Sequence, residues 1–95
     1  MSEQQKQPLE ELEDLRKEIN ILDNQILNLL KNRQEIVEKV KEFKIKNNVS
    51  FYQPDREKMI LERIKNIADE KGMNSEIAKN IFKKIIQEFR NSEIK

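Results

Sequence analysis

The 95-residue sequence contains no cysteine and no histidine, and it has one glycine and two prolines. Without cysteine the chain forms no disulfide and has no thiolate nucleophile. Without histidine it lacks the most common general base and metal ligand, so a zinc site or a serine–histidine triad is excluded. A β-sheet needs turn residues between its strands, and these are scarce here. The missing residue types therefore favour an all-helical fold and exclude several common catalytic centres.

Charged residues are abundant but balanced. They make up 39% of the chain against 36% hydrophobic residues, and the formal net charge is +1. This composition is typical of exposed helices, and near-neutrality gives no reason to expect nucleic acid or an anionic membrane as a partner. The first eight residues are polar, and no apolar run approaches the ~20 residues of a membrane span. We expect one cytoplasmic domain over residues 1–95, with 1–7 as a disordered tail.

Proline and glycine divide the chain into three predicted helices. Pro8 and Pro54 suit the first turn of a helix, Gly72 suits a C-terminal cap, and Asn74 or Ser75 suits an N-terminal cap. The connector between the first two helices has a β-like composition but no second strand with which to pair, so we interpret it as a loop. The predicted helices span about 8–46, 54–71 and 75–92.

The first predicted helix carries a line of apolar residues spaced three and four apart, here called the apolar seam. It comprises Leu12, Leu15, Ile19, Leu22, Ile26, Leu29, Ile36, Val40 and Phe43. Two shorter helices cannot readily cover so many large side chains, so we infer a homodimer. Shorter apolar stripes on the second and third helices predict the remaining core. On the second helix the predicted core residues are Met59, Ile60, Leu61, Ile64, Ile67 and Ala68. On the third helix they are Ile77, Ala78, Ile81, Phe82, Ile85, Ile86 and Phe89.

Arg33 interrupts the apolar seam between Leu29 and Ile36. A charge on the packed face of a helix is costly unless an anion satisfies it, and a carboxylate from a partner chain or a ligand fits this need. Lys44 follows eleven residues later, about 20° around the helix axis and about 16 Å along it, so the two cations can bracket a small anion. Alternatively, both side chains reach solvent or pair with glutamates of a partner helix.

Three further charged residues are candidates for the same site. Arg16 lies about 26 Å from Arg33 on a straight helix and points about 100° away, so it joins that site only from a second subunit. The alternative for Arg16 is a solvated surface charge. Arg56 and Glu57 fall in the first turn of the second helix, where backbone N–H groups also face a ligand. Their alternative role is to complement the helix dipole.

Taken together, these positions resemble the all-helical chorismate mutase family. The resemblance extends from about residue 9 to residue 93 and depends on motifs that occur together in a fixed order. They are Leu15-Arg16-Lys17-Glu18-Ile19 with Leu22-Asp23, Leu29-Leu30-Lys31-Asn32-Arg33, Lys44, and Pro54-Asp55-Arg56-Glu57.

The resemblance implies an intertwined homodimer of three-helix chains without metal or cofactor. The implied activity is the unimolecular rearrangement of chorismate to prephenate in aromatic amino-acid biosynthesis. Such an enzyme holds a dicarboxylate in its reactive conformer and stabilises the charge that develops as an ether bond breaks. This chemistry needs no nucleophile, in agreement with a chain that lacks cysteine and histidine.

The resemblance also implies a role for each candidate residue. Arg33 and Arg16 of the partner subunit would bind the two carboxylates, ideally by bidentate pairing. Lys44 would contact a carboxylate and the ether oxygen. Glu57 would accept a hydrogen bond from the ring hydroxyl, and Arg56 would organise the polar network around it.

Three positions depart from the family pattern. Gln53 stands where an acidic residue is common, which weakens the expectation of a side-chain contact with the ring hydroxyl. Phe89 replaces a small polar residue, so that contact is lost or passes to the backbone. Glu93 stands where many members have a glutamine that donates to the ether oxygen, and it can donate only when protonated. Alternatively, Glu93 frays with the last turn of the chain and takes no part.

Two other functions remain open on the sequence alone. A non-catalytic helical dimerisation or adaptor module explains the apolar seam but not Arg33 aligned with Lys44. An isochorismate pyruvate lyase on the same scaffold would use a similar cationic cage, but Glu57 and the complete set of cations favour the mutase. The sequence also leaves open a partner enzyme from the same pathway.

The presence of glutamate at position 93, where many family members have glutamine, predicts how activity depends on pH. We expect chorismate turnover to rise as pH falls, because only the protonated carboxyl donates to the ether oxygen. Glu93→Gln should flatten this dependence, since the amide donates at every pH. The measurement is kcat as a function of pH for both proteins. If the two profiles have the same shape, Glu93 has no part in the mechanism.

Overall fold

The computed structural model describes residues 7–51 and 53–94, with side chains described up to residue 90. It has three helices: α1 (Pro8–Lys46), α2 (Pro54–Glu70) and α3 (Ser75–Ile94). These residues contain no strand, so the all-helical, three-helix prediction is confirmed. The tail expected at residues 1–7 lies outside the described residues except for Gln7. Within the described ranges, no helix has an apolar stretch long enough to cross a membrane.

The chain divides after Ile36 into two compact units. The first contains the N-terminal part of α1, and the second contains the rest of α1 with α2 and α3. None of the residues of α1 is buried. In the first unit, for example, Leu22 is 54% exposed and Leu29 is 66% exposed. The apolar seam is therefore uncovered within a single chain.

In the second unit, α2 packs against α3. Its core consists of Ile64, Ala68 and Ala78, each at most 9% exposed, with Ile60 and Phe82 packed against them. The two alanines have short side chains, so the helices can approach closely at this point. The turn between the helices is short, and they therefore run antiparallel as a helical hairpin.

Gly72 ends α2 in a left-handed conformation, with φ of +73°. Its N–H donates to the Asp69 carbonyl at 3.1 Å, and the Met73 N–H donates to the Ala68 carbonyl at 2.9 Å. These two bonds form a Schellman motif, which satisfies carbonyl groups that a helix end would otherwise leave unpaired. Gly72 thus ends the helix at the position that the sequence indicates.

The end of α1 has the same arrangement with asparagine in place of glycine. Asn48 has φ of 55°, and the Val49 N–H donates to the Lys44 carbonyl at 2.9 Å. The Asn47 side chain donates to the Phe43 carbonyl at 2.8 Å. Asparagine tolerates the left-handed region better than other residues with a Cβ, which explains why α1 can end here without a glycine.

The N-terminal ends of α2 and α3 are capped differently. Asn74 is the N-cap of α3, because its Oδ1 accepts the N–H of Ile77 at 3.0 Å. This bond decides between the two caps that the sequence suggested. The α2 cap, Gln53, makes no such side-chain bond, and Pro54 follows it at the start of the helix.

Four predicted core residues of α2 and α3 are exposed within the chain. Met59 is 65% exposed, Ile77 is 53% exposed, Ile81 is 49% exposed and Ile67 is 36% exposed. The prediction that they are buried is wrong for a single chain, because the hairpin core forms along another face of each helix. Helical periodicity identifies an apolar face but does not show what covers it.

The left-handed turn at Gly72 predicts a loss of stability on substitution. A Cβ at this position would meet no atom within 4 Å, so the cost of Gly72→Ala arises from the backbone alone. We expect the free energy of unfolding to fall by about 1 kcal/mol. Gly72→Asn, the control, should lose less because asparagine adopts this conformation more readily. The measurement is urea denaturation at equal protein concentrations, and an alanine variant as stable as the wild type would contradict the interpretation.

Candidate active site

The N-terminal turn of α2 holds three of the predicted site residues. Gln53 and Arg56 are exposed, and Glu57 is half-buried. The N–H groups of Arg56 and Glu57 both donate to the Gln53 carbonyl, at 3.1 and 3.3 Å. These two N–H groups are therefore used within the helix, which corrects the idea that they face a ligand. At both positions only the side chains are available for binding.

Glu57 is held by an arginine of α3. Nη1 of Arg90 donates to Oε1 of Glu57 at 2.6 Å, and the two side chains are 34% and 32% exposed. A short hydrogen bond between ionised partners is stronger than one between neutral groups, and partial burial reduces its screening by solvent. Beside the pair lies a cavity of about 70 Å³ that is also lined by Leu61, Lys83 and Ile86.

The cations predicted on α1 have different surroundings. In the first unit, Arg16 is exposed and its Nη1 lies 3.7 Å from Oε1 of Glu13, an exposed pair that contributes little to stability. Arg33 is half-buried on the same helix. In the second unit, Lys44 is half-buried in the last turn of α1. No ion pair joins Lys44 or Arg56 to another described residue.

The remaining two predicted residues lie on α3. Phe89 is half-buried. Glu93 falls within the bounds of α3, but its side chain lies outside the described residues.

No sequence motif marked Arg90, which is the partner of Glu57 in the structure. The two residues are far apart in sequence but lie at similar distances from the turn at Gly72. In an antiparallel hairpin, such residues face each other across the helix–helix contact. The contact between Glu57 and Arg90 could have been inferred from the sequence. The inference requires the position of the turn at Gly72 together with the antiparallel packing of the two helices.

The sequence matches the family model described as chorismate mutase type II over residues 15–94. A bifunctional chorismate mutase/prephenate dehydratase of Buchnera aphidicola is 36% identical over 78 residues, which are 82% of this chain and 20% of that protein. A chorismate mutase of Methanocaldococcus jannaschii is 33% identical over 79 residues, or 83% of this chain and 80% of that protein. The T-protein of Haemophilus influenzae is 29% identical over 80 residues, or 84% of this chain and 21% of that protein.

The relatives fall into two size classes. The chain spans about a fifth of the length of the bifunctional Buchnera protein and of the T-protein, whereas it spans most of the Methanocaldococcus protein. In each of these three relatives the matched segment covers more than four-fifths of this chain. The family match includes most of α1 and reaches the end of α3. The chain therefore belongs to the chorismate mutase type II family.

Proposed function

We propose that this chain is an isomerase that converts chorismate to prephenate in aromatic amino-acid biosynthesis, in the cytoplasm and as a homodimer. The observation that carries the proposal is the family match over residues 15–94. The rearrangement is unimolecular, so the protein has to restrain the substrate and stabilise developing charge rather than supply a nucleophile. The chain's supply of arginine and lysine suits that task.

The cations of α1 would bind the carboxylates of chorismate. Arg33 stands at an apolar position of the seam and is half-buried, and its planar guanidinium would bind a substrate carboxylate by bidentate pairing. Lys44, half-buried and without a described ion pair, would contact a carboxylate and the ether oxygen. Arg16 would come from the partner subunit, because a straight helix directs it away from Arg33.

The first turn of α2 would bind the other side of the substrate. Glu57 would accept a hydrogen bond from the ring hydroxyl, and the exposed Arg56 would organise the polar groups around it. The side chain of Gln53 makes no cap hydrogen bond, which leaves its amide available to the substrate. On α3, Phe89 would contribute packing or a backbone contact, and Glu93 in its protonated form would donate to the ether oxygen.

The homodimer is supported by the exposure of α1. This helix has 39 residues and none of them is buried, so it presents apolar side chains along about 58 Å. An apolar surface of this extent is rare on a monomer. A second copy supplies the same seam and covers both, as a twofold interface does. Met59, Ile77 and Ile81 are further apolar side chains that such an interface could cover.

The proposed reaction predicts the outcome of an assay with purified chain. We expect chorismate to disappear with formation of prephenate, and Arg33→Leu to lower kcat/KM by about 100-fold or more, as removal of a charge-stabilising donor does elsewhere. The measurement is the fall in chorismate absorbance with identification of the product. Circular dichroism of the variant should show an unchanged helical fold, because leucine suits the apolar seam.

The matched control is Arg63→Ala, which removes an exposed arginine from α2 and should leave the rate unchanged. Isochorismate is tested in parallel. Its conversion to pyruvate and salicylate in place of chorismate turnover would identify the lyase. Turnover of neither substrate, with wild type and Arg33→Leu equally folded, would leave a helical interaction module.

The dimer predicts a mass of twice the 11.5 kDa of one chain. Leu22→Glu places a charge in the apolar seam and should shift the protein towards monomer, because the buried carboxylate would have no partner. Asn24→Glu adds the same charge two residues away, outside the seam, and should leave the mass unchanged. Light scattering during gel filtration measures all three proteins. A wild-type monomer at micromolar concentration would contradict the dimer.

A further inference from the structure

The half-buried ion pair between α2 and α3 adds a residue to the proposed site. We propose that Arg90 is a positioning residue for the rearrangement. Its guanidinium orients the Glu57 carboxylate and leaves one oxygen of that carboxylate open to the substrate. This inference rests on the proposed function, and it concerns a residue outside the family motifs quoted above.

The geometry of the pair distinguishes it from ordinary surface contacts. Arg90 Nη1 and Glu57 Oε1 are 2.6 Å apart, with both side chains about one-third exposed. Among the described residues, four further ion pairs with known geometry have N–O distances of 3.0 to 3.8 Å. Those four each include at least one side chain that is 60% exposed or more. Such exposed pairs contribute little, whereas a short, partly buried pair restricts both of its side chains.

The pair leaves Glu57 able to accept a second hydrogen bond. A carboxylate has two oxygens, and together they can accept several hydrogen bonds. Arg90 occupies Oε1, and among the described residues the structure records no partner for Oε2. The short hydrogen bond from Nη1 of Arg90 restricts the rotation of the carboxylate. Oε2 is therefore held in place for a hydroxyl of the substrate.

Arg90 also offsets an unfavourable charge. Chorismate is a dicarboxylate, so an unpaired Glu57 would place a third negative charge beside it and repel it. The guanidinium balances the charge of Glu57 at hydrogen-bond distance. Glu57 can then act as an acceptor without making the site less attractive to a dianion.

The position of the pair is fixed by the hairpin itself. Glu57 lies in the first turn of α2, and Arg90 lies in the C-terminal half of α3. The turn at Gly72 and the packing of Ala68 against α3 set the register that brings them together. The positioning of Glu57 is thus built into the α2–α3 hairpin.

A double-mutant cycle tests whether Arg90 acts through Glu57. We expect Arg90→Met to lower kcat/KM about tenfold, the size expected for a hydrogen bond between charged groups. Glu57→Gln should lower it at least as much. The double variant should be no slower than Glu57→Gln alone, because without the carboxylate Arg90 has nothing to position. Arg90→Lys should recover part of the activity by restoring the charge.

The matched control is Lys84→Met, which removes the cation of the exposed Lys84–Glu88 pair on α3. It should leave kcat and KM unchanged. The unfolding free energy of every variant is measured alongside, so that a loss of stability is separated from a loss of activity.

Two results would overturn the role of Arg90. One is a folded Arg90→Met protein with wild-type kcat/KM, which would make the pair purely structural. The other is a loss that persists undiminished in the Glu57→Gln background. If Arg90→Met does not fold, Arg90→Lys replaces it in the cycle. The loss of kcat/KM caused by Arg90→Lys should then disappear when Glu57→Gln is also present. A wild type that does not turn over chorismate is a different result, because it refutes the proposed function itself.

Discussion

The close contact of Ala68 and Ala78 between α2 and α3 is the interaction on which the second unit depends. Both residues are almost fully buried, and larger side chains there would force the helices apart. The register that they set runs the length of the hairpin, from the turn at Gly72 to the pair formed by Glu57 and Arg90. A few small side chains far from the candidate site therefore determine where its carboxylate lies.

Unlike α2 and α3, the first helix, α1, has no residue that is buried within the chain. Arg33 interrupts its apolar seam between Leu29 and Ile36, and Lys44 follows directly after the last residue of the seam. In the proposed dimer, the surface that drives association also carries the groups that bind the substrate. Assembly and binding would depend on each other in this dimer, because the partner that covers the seam would also supply Arg16.

The sequence predicted the helices well because local signals define them. Pro54 and Gly72 mark the ends of α2, and the scarcity of turn residues left no room for a sheet. The roles of the site residues came from family motifs and remain predictions. Burial was predicted less well, since Met59 and Ile77 are exposed within the chain. Arg90 was missed because its contact with α2 depends on the register of two packed helices, which no local pattern encodes.

The backbone hydrogen bond that caps the C-terminal end of α1 holds Lys44 in place. The last turn of a helix usually frays, but here Val49 bonds back to the Lys44 carbonyl while Asn48 takes the left-handed conformation. Ordering one backbone residue costs about 1–2 kcal/mol of conformational entropy. At Lys44 the backbone loses this conformational entropy once, when the protein folds. In the proposed complex with chorismate, the ammonium group would bind a carboxylate without its backbone having to become ordered again for each molecule.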